Sequence, residues 1–147
     1  MVGFFLFLIL GLLQGSFATA ILYREKNNQS WIWNKADSNK ARSFCPNCKH
    51  ILGVKDLIPF FSYVFQKGKC RYCKTKISSS YILIESFSVL ISLVIWSFLG
   101  VTFASLLMMF ALPFLLAQSI LLLKYKKSSP LLLSILAVFA IIIFQIY

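Results

Sequence analysis

Four cysteines carry the clearest chemistry in this 147-residue chain. They stand as Cys45-Pro46-Asn47-Cys48 and Cys70-Arg71-Tyr72-Cys73, with twenty-one residues between the pairs. A two-residue gap lets one tight turn offer two sulfurs to a single ion, and two such pairs make the pattern of a tetrahedral four-cysteine zinc site. The neighbouring Lys49, Lys67, Lys69, Arg71 and Lys74 would offset the negative charge of four thiolates and lower the thiol pKa values. Pro46 stiffens the first turn, and Gly68 lets the chain bend sharply into the second. Two disulfides or a redox C-x-x-C are the competing uses. Disulfides need an oxidising compartment, and a redox pair needs a helix start in a thioredoxin-like unit, which is not visible in the pattern. The expected role of the ion is structural: a loop of about fifty residues has little core, and a closed all-thiolate site supplies folding energy. His50 is a spare candidate ligand beside a shell that four sulfurs already complete.

Carboxylates are the other groups that could act, and there are four: Glu25, Asp37, Asp56 and Glu85. Only Glu85 lies in or beside an apolar stretch, where an ionisable side chain is functional by default. The opposing reading is an acid in the first turns of a helix, stabilised by the helix dipole and by Lys74 or Lys76. Asp56 is the second candidate, with structural pairing to loop lysines as its alternative. No Rossmann-type glycine motif is present.

These groups must be positioned by membrane helices. Hydrophobic residues make up 59% of the chain and charged residues 13%, against about 45–50% and about 25% in soluble domains. The mean hydropathy is +0.81. Disorder and a free-standing soluble globule are thereby excluded. The net charge of +11 is not spread evenly: twelve of the fifteen cations lie between Arg24 and Lys76, and the rest are Lys124, Lys126 and Lys127. A span needs about 20 apolar residues. The expected architecture is an all-α integral membrane protein with about four transmembrane helices, at 1–23, 81–100, 101–123 and 130–147. Residues 24–80 form a small zinc-ribbon-like loop domain and 124–129 a short basic loop. Gly100 divides the long apolar run, Pro130 suits the first turn of the last helix, and Pro113 is tolerable inside a span.

The charges also give an orientation. Loops 24–80 and 124–129 hold all fifteen cations, so the positive-inside rule places both in the cytoplasm and both termini outside. A signal peptide ending at Ala18-Thr19-Ala20 is the alternative for the first span, but it lacks a cationic n-region and cleavage would export the most basic segment. Lysines beside a membrane commonly fix topology and touch anionic headgroups.

The same residues carry a family likeness. Gly11-Leu-Leu-Gln-Gly15-Ser16-Phe17 running on to Arg24 resembles the start of the bifunctional bacterial prepilin peptidases/N-methyltransferases, membrane aspartic peptidases of the A24 family. Ser43-Phe-Cys45-Pro46-Asn-Cys48, Asp56-Leu-Ile58-Pro59-Phe-Phe-Ser62-Tyr63, Gly68-Lys-Cys70-Arg71-Tyr-Cys73, and Ile77-Ser78 with Tyr81 and Glu85 are similar to that family's amino-terminal domain over about 11–85. Thr19 stands where the family usually has Asn. The peptidase half of the family needs two aspartates, one near the cytoplasmic end of a membrane helix and one in a Gly-x-Gly-Asp motif. Here Leu121 to Lys127 contains no acid, and no Gly-x-Gly-Asp occurs in these residues. Two carboxylates sharing a proton activate water in an aspartic protease, so the chain by itself is not expected to cleave.

The resemblance implies a bacterial inner-membrane protein of type IV pilus, competence-pseudopilus or type II secretion assembly, acting on a prepilin or pseudopilin. Any activity would be methyl transfer from S-adenosylmethionine, with Glu85 and Asp56 as the candidate catalytic residues. The alternative is a non-catalytic zinc-stapled adaptor that binds prepilins or a separate peptidase subunit. A zinc ribbon binding nucleic acid through Trp31, Trp33, Tyr63 and Tyr72 is disfavoured, because these aromatics form no stacking-platform pattern. Arg24 reads as a topology anchor, and Gly11 with Gly15 as a small-residue face for helix packing.

Overall fold

The computed structural model describes residues 1–27 and 43–146; Trp31, Trp33, Asp37 and Tyr147 lie outside them. It is all-helical, apart from two isolated antiparallel bridges, Phe44 with Ile51 and Lys69 with Lys76. In order come α1 (Val2–Lys26), a single 3-10 turn (Val54–Asp56), α2 (Phe61–Phe65), α3 (Ser80–Leu99), α4 (Phe103–Tyr125) and α5 (Pro130–Ile146). Three of these, α1, α3 and α4, are long and apolar enough to cross a membrane, and α5 is apolar but shorter. The protein is an all-α integral membrane protein with a cysteine-bearing loop between its first two long helices.

The helix ends have local causes. Gly100 closes α3 at φ 60 ψ −151, a conformation that glycine adopts without a Cβ clash. Two residues later Thr102 caps α4: its hydroxyl accepts from the Ser105 amide at 3.2 Å, and the Ser105 hydroxyl reaches back to the Thr102 amide. At the other end of α4, buried Gln118 holds the turn into α5 through Ser128 Oγ at 3.0 Å and the Ser129 amide at 3.3 Å. An intramembrane polar side chain is satisfied there within its own hairpin.

α1 packs against both α3 and α4, and α5 against α4. Phe7, Ala18, Met109, Leu112 and Leu116 make one buried cluster; Ile21, Ala117, Leu121 and Leu132 make a second. The α1–α3 seam is the closest. A Cβ on Gly11 would lie 2.8 Å from Val89 Cα, and one on Gly15 would lie 2.7 Å from Glu85 Cα. Opposite the two glycines α3 presents Ser88 and Ser92, both fully buried. The Ser92 hydroxyl donates to the Phe7 carbonyl across the seam. The four-residue glycine spacing therefore brings two backbones together, as small residues do in membrane helix pairs.

Replacement of Gly15 by leucine is expected to force this seam apart, at a cost of about 1–3 kcal/mol for overpacking. Unfolding of the purified protein in mixed detergent, followed by circular dichroism, should shift to lower denaturant. An unchanged midpoint would contradict the close approach.

Candidate metal centre and the cavity beneath it

Each C-x-x-C pair folds into the same turn. The Cys45 amide donates to the His50 carbonyl and the Lys49 amide to the Cys45 carbonyl; likewise the Cys70 amide donates to Thr75 and the Lys74 amide to Cys70. Lys49 and Lys74, each just after the second cysteine, both sit at φ 59 in the left-handed region. The two knuckles are thus local repeats, closed by the bridges Phe44–Ile51 and Lys69–Lys76. Gly68 leads into the second at φ +66, where a Cβ would meet the Tyr63 hydroxyl at 2.9 Å.

The knuckles face one another. The four sulfurs of Cys45, Cys48, Cys70 and Cys73 all lie within 4.8 Å of one another, and all four cysteines are free thiols. Cys45 Sγ and Cys73 Sγ are 3.8 Å apart. A tetrahedral ion with metal–sulfur bonds of about 2.3 Å requires sulfur–sulfur edges of about 3.8 Å, so the group fits a metal ion.

The thiols are graded. Contacts with Thr75, whose hydroxyl lies 3.4 Å from the sulfur, and with Asn47 Nδ2 at 3.6 Å pull Cys73 down to about 5. The Cys48 amide holds Cys45 below its ordinary value. The His50 amide draws Cys48 down too, but desolvation and the adjoining sulfurs of Cys45 and Cys73 outweigh it, and Cys48 is pushed up to about 11. The last thiolate is disfavoured by those already present, and a cation at their centre relieves that repulsion.

Several residues singled out by the sequence have definite places around this centre. His50 is not among the sulfurs; its ring lies on Tyr72, with centroids 3.6 Å apart. The Tyr72 hydroxyl donates to Asp56 at 3.3 Å. Asp56 also accepts from Gln66 Nε2 at 3.2 Å and from the Gly53 amide at 3.1 Å. Its ionic partner is Arg71, at 3.3 Å, rather than a loop lysine. Asp56 thereby ties the 53–66 segment to the second knuckle. Thr75 and Asn47, joined by a hydrogen bond of 2.8 Å, are the residues that sequence reasoning missed. Thr75 occupies the place in its knuckle that His50 has in the first, which is the one signal that could have found it.

Glu85 lies apart from the sulfurs, on α3, and is buried. Its carboxylate accepts the Phe60 amide at 2.7 Å, and the hydroxyl of Ser16 on α1 also bears on it. Phe60 has φ 63 ψ −55, and the Phe61 amide donates back to the Pro59 carbonyl at 2.6 Å. This is a classic γ-turn, a rare and strained conformation. Between Glu85 and the knuckles opens a cavity of about 490 Å³, lined among others by Ser16, Thr19, Arg24, Asp56, Tyr63 and Tyr81. Thr19 spends its hydroxyl on its own helix, donating to the Ser16 carbonyl at 2.7 Å. Glu85 and Asp56 thus border one cavity, Asp56 with its carboxylate engaged by the loop.

Known proteins match this region. Residues 9–111 fit the family model of the Bacterial Peptidase A24 N-terminal domain. The chain is 37% identical over 95 residues to the prepilin leader peptidase/N-methyltransferase of Vibrio cholerae serotype O1, covering 62% of this chain and 37% of that protein. It is 35% identical over 108 residues to the protein of the same name from Neisseria gonorrhoeae, covering 61% of this chain and 38% of the other. With the type 4 prepilin-like proteins leader peptide-processing enzyme of Escherichia coli O78:H11 it shares 31% over 86 residues, covering 51% and 32%. The chain therefore spans less than half the length of these relatives. No solved structure matches.

One metal ion per chain is expected by elemental analysis of the purified protein. Each Cys→Ser change at 45, 48, 70 or 73 should lower metal content and expose the loop to protease. Uptake should weaken as pH falls, since metal binding releases protons from the thiols and a higher proton concentration opposes that release. Equal metal in the parent and in a quadruple mutant would refute the site.

Proposed function

The chain belongs to the bacterial peptidase A24 N-terminal domain family, and from that premise we propose that it is the zinc-bearing membrane unit of a prepilin-processing system. The relatives are named for leader peptidase and N-methyltransferase activities. These 147 residues hold four carboxylates and no Gly-x-Gly-Asp, so the chain alone does not hydrolyse prepilins. Zinc is the metal favoured by an all-cysteine tetrahedral group. Its role is to close the loop, and the reducing cytoplasm keeps the thiols available. The loop is cytoplasmic and the termini are external, with four spans in the bacterial inner membrane, because the cations concentrate in the two loops on one side.

The observation that carries the reading is the buried Glu85 at the floor of a cavity roofed by the metal knuckles. A pilin amino terminus entering that cavity would present an amine beside a carboxylate. S-adenosylmethionine, the methyl donor the resemblance implies, supplies an electrophilic methyl group. An amine that took up a methyl group there would have to release a proton. Glu85 would orient the amine and receive that proton. Asp56, held by Arg71, Tyr72 and Gln66, supports the cavity wall.

One observation favours the adaptor reading instead: the Glu85 carboxylate is already engaged by the Phe60 amide. In that reading Glu85 fastens the loop to α3, and the loop recognises prepilins or a separate peptidase subunit.

Two experiments separate these statements. Purified protein given a prepilin and labelled S-adenosylmethionine should yield no shortened product; given a processed pilin it should transfer label, and Glu85→Gln should abolish transfer while zinc stays bound. Cleavage would overturn the first claim, and absence of cofactor binding would transfer the case to the adaptor. For orientation, a reporter inserted at Ser38 should read as cytoplasmic and one fused after Tyr147 as external. An external signal at Ser38 would reverse the assignment and remove the compartment argument for zinc.

A further inference from the structure

The segment between the knuckles has two unlike faces. At about 100° per residue, Ser62 and Tyr63 turn one way and line the cavity, together with Gln66. Phe61, Val64 and Phe65 share the opposite side of α2, exposed by 49%, 50% and 81%. Ile58, just ahead, is also exposed. Isolated apolar side chains on a surface need no explanation, but a contiguous group this large on a small polar loop marks an interaction surface. A five-residue helix gains little from its own hydrogen bonds in water, so its exposed face is the part with most to gain from a partner.

The attachment of this segment says where it lies. The Phe60 amide is bonded to Glu85, and α3 begins at Ser80. Glu85 is therefore about 7–8 Å along the helix axis from the start of α3, at 1.5 Å per residue. Helical side chains lean toward the N-terminus, so the carboxylate reaches back toward the loop. Phe60, and α2 directly after it, are held beside the first turns of a helix long and apolar enough to cross the membrane. Lys67, Lys69 and Lys74 border one surface hollow beside Phe65 and are exposed. Aromatic and aliphatic side chains within a basic rim, at the end of a membrane helix, have the composition of an interfacial element.

We propose that the face made by Ile58, Phe61, Val64 and Phe65 inserts into the headgroup–acyl boundary of the protein's own membrane, with its lysine rim on anionic phospholipid headgroups. The loop is then a lid resting on lipid along one edge, and the bilayer sets how far the knuckles stand above the cavity. Only the leaflet concerned rests on the orientation proposed above.

The test uses the full, metal-loaded chain in nanodiscs of phosphatidylcholine and phosphatidylglycerol. Phe61→Trp and Phe65→Trp are made singly, and the emission of the parent, which carries Trp31, Trp33 and Trp96, is subtracted. The added emission should be blue-shifted and should fall by roughly half when the lipids carry bromine near the glycerol end of the acyl chains, as for side chains at the interface. Water-like, unquenched emission from both positions overturns the proposal and leaves the face free for a protein. Should the substitutions lower metal content, the parent chain carries the test. Amide exchange across residues 60–66 should be slower in nanodiscs with phosphatidylglycerol than in wholly neutral ones, and equal rates overturn it. Neither readout depends on methyl transfer or prepilin binding.

Discussion

The hydrogen bond from the Phe60 amide to the Glu85 carboxylate joins two units that otherwise obey different physics. Below it, helices pack by close approach of small residues in a medium that offers no hydrophobic drive for helix association. Above it, a polar loop with almost no buried core depends on four sulfurs. At 2.7 Å the bond satisfies a carboxyl oxygen that is buried inside the bundle. It holds Phe60 in a backbone conformation that costs of the order of 1–3 kcal/mol and persists only where surroundings over-determine it. Pro59 on one side and α2 on the other leave the turn little freedom. Strain and carboxylate thus belong to a single arrangement, because without the γ-turn the amide would not point at α3.

The seam beneath that bond is its precondition. Gly15 lies against the Glu85 backbone, with no room for a Cβ, so α1 brings Ser16 and Thr19 to the same cavity edge. Had Gly15 carried a side chain, Glu85 would be displaced from both Ser16 and the loop. The glycine spacing that reads as helix packing is therefore also what builds the cavity. A purely structural role and a role at the site are here the same contact seen from two sides.

What the sequence disclosed follows from how local each cause is. The metal centre was legible because ligand geometry forces cysteines two residues apart, and no distant partner is needed to see it. The long apolar helices were legible for the same reason, as was Gly100 as a break. Partners across the fold were not. Glu85 stood out as an acid beside a span, but its partner is a backbone amide, which has no residue type to announce it. Asp56, a candidate acid with pairing to loop lysines as its alternative reading, pairs with Arg71, because the bend at Gly68 and the second knuckle bring that guanidinium round. Thr75 and Asn47 support Cys73 through a hydroxyl and a carboxamide, groups too common in loops to attract notice. Gln118, a lone polar side chain in an apolar run, holds the α4–α5 turn.

These contacts form a chain of dependence leading from the metal into the membrane. A metal ion among the four sulfurs would hold the knuckles face to face, and the second knuckle presents Arg71 and Tyr72 to Asp56. Asp56 in turn fixes the 3-10 turn and Gln66, the two ends of the segment that contains Pro59, Phe60 and α2. That segment delivers the amide to Glu85. An effect of metal loss on Glu85 therefore requires no contact between the two, only the rigidity of the segment between them. The four sulfurs and Glu85 are thus linked through the loop, because the loop that carries the knuckles also carries the amide that partners the Glu85 carboxyl.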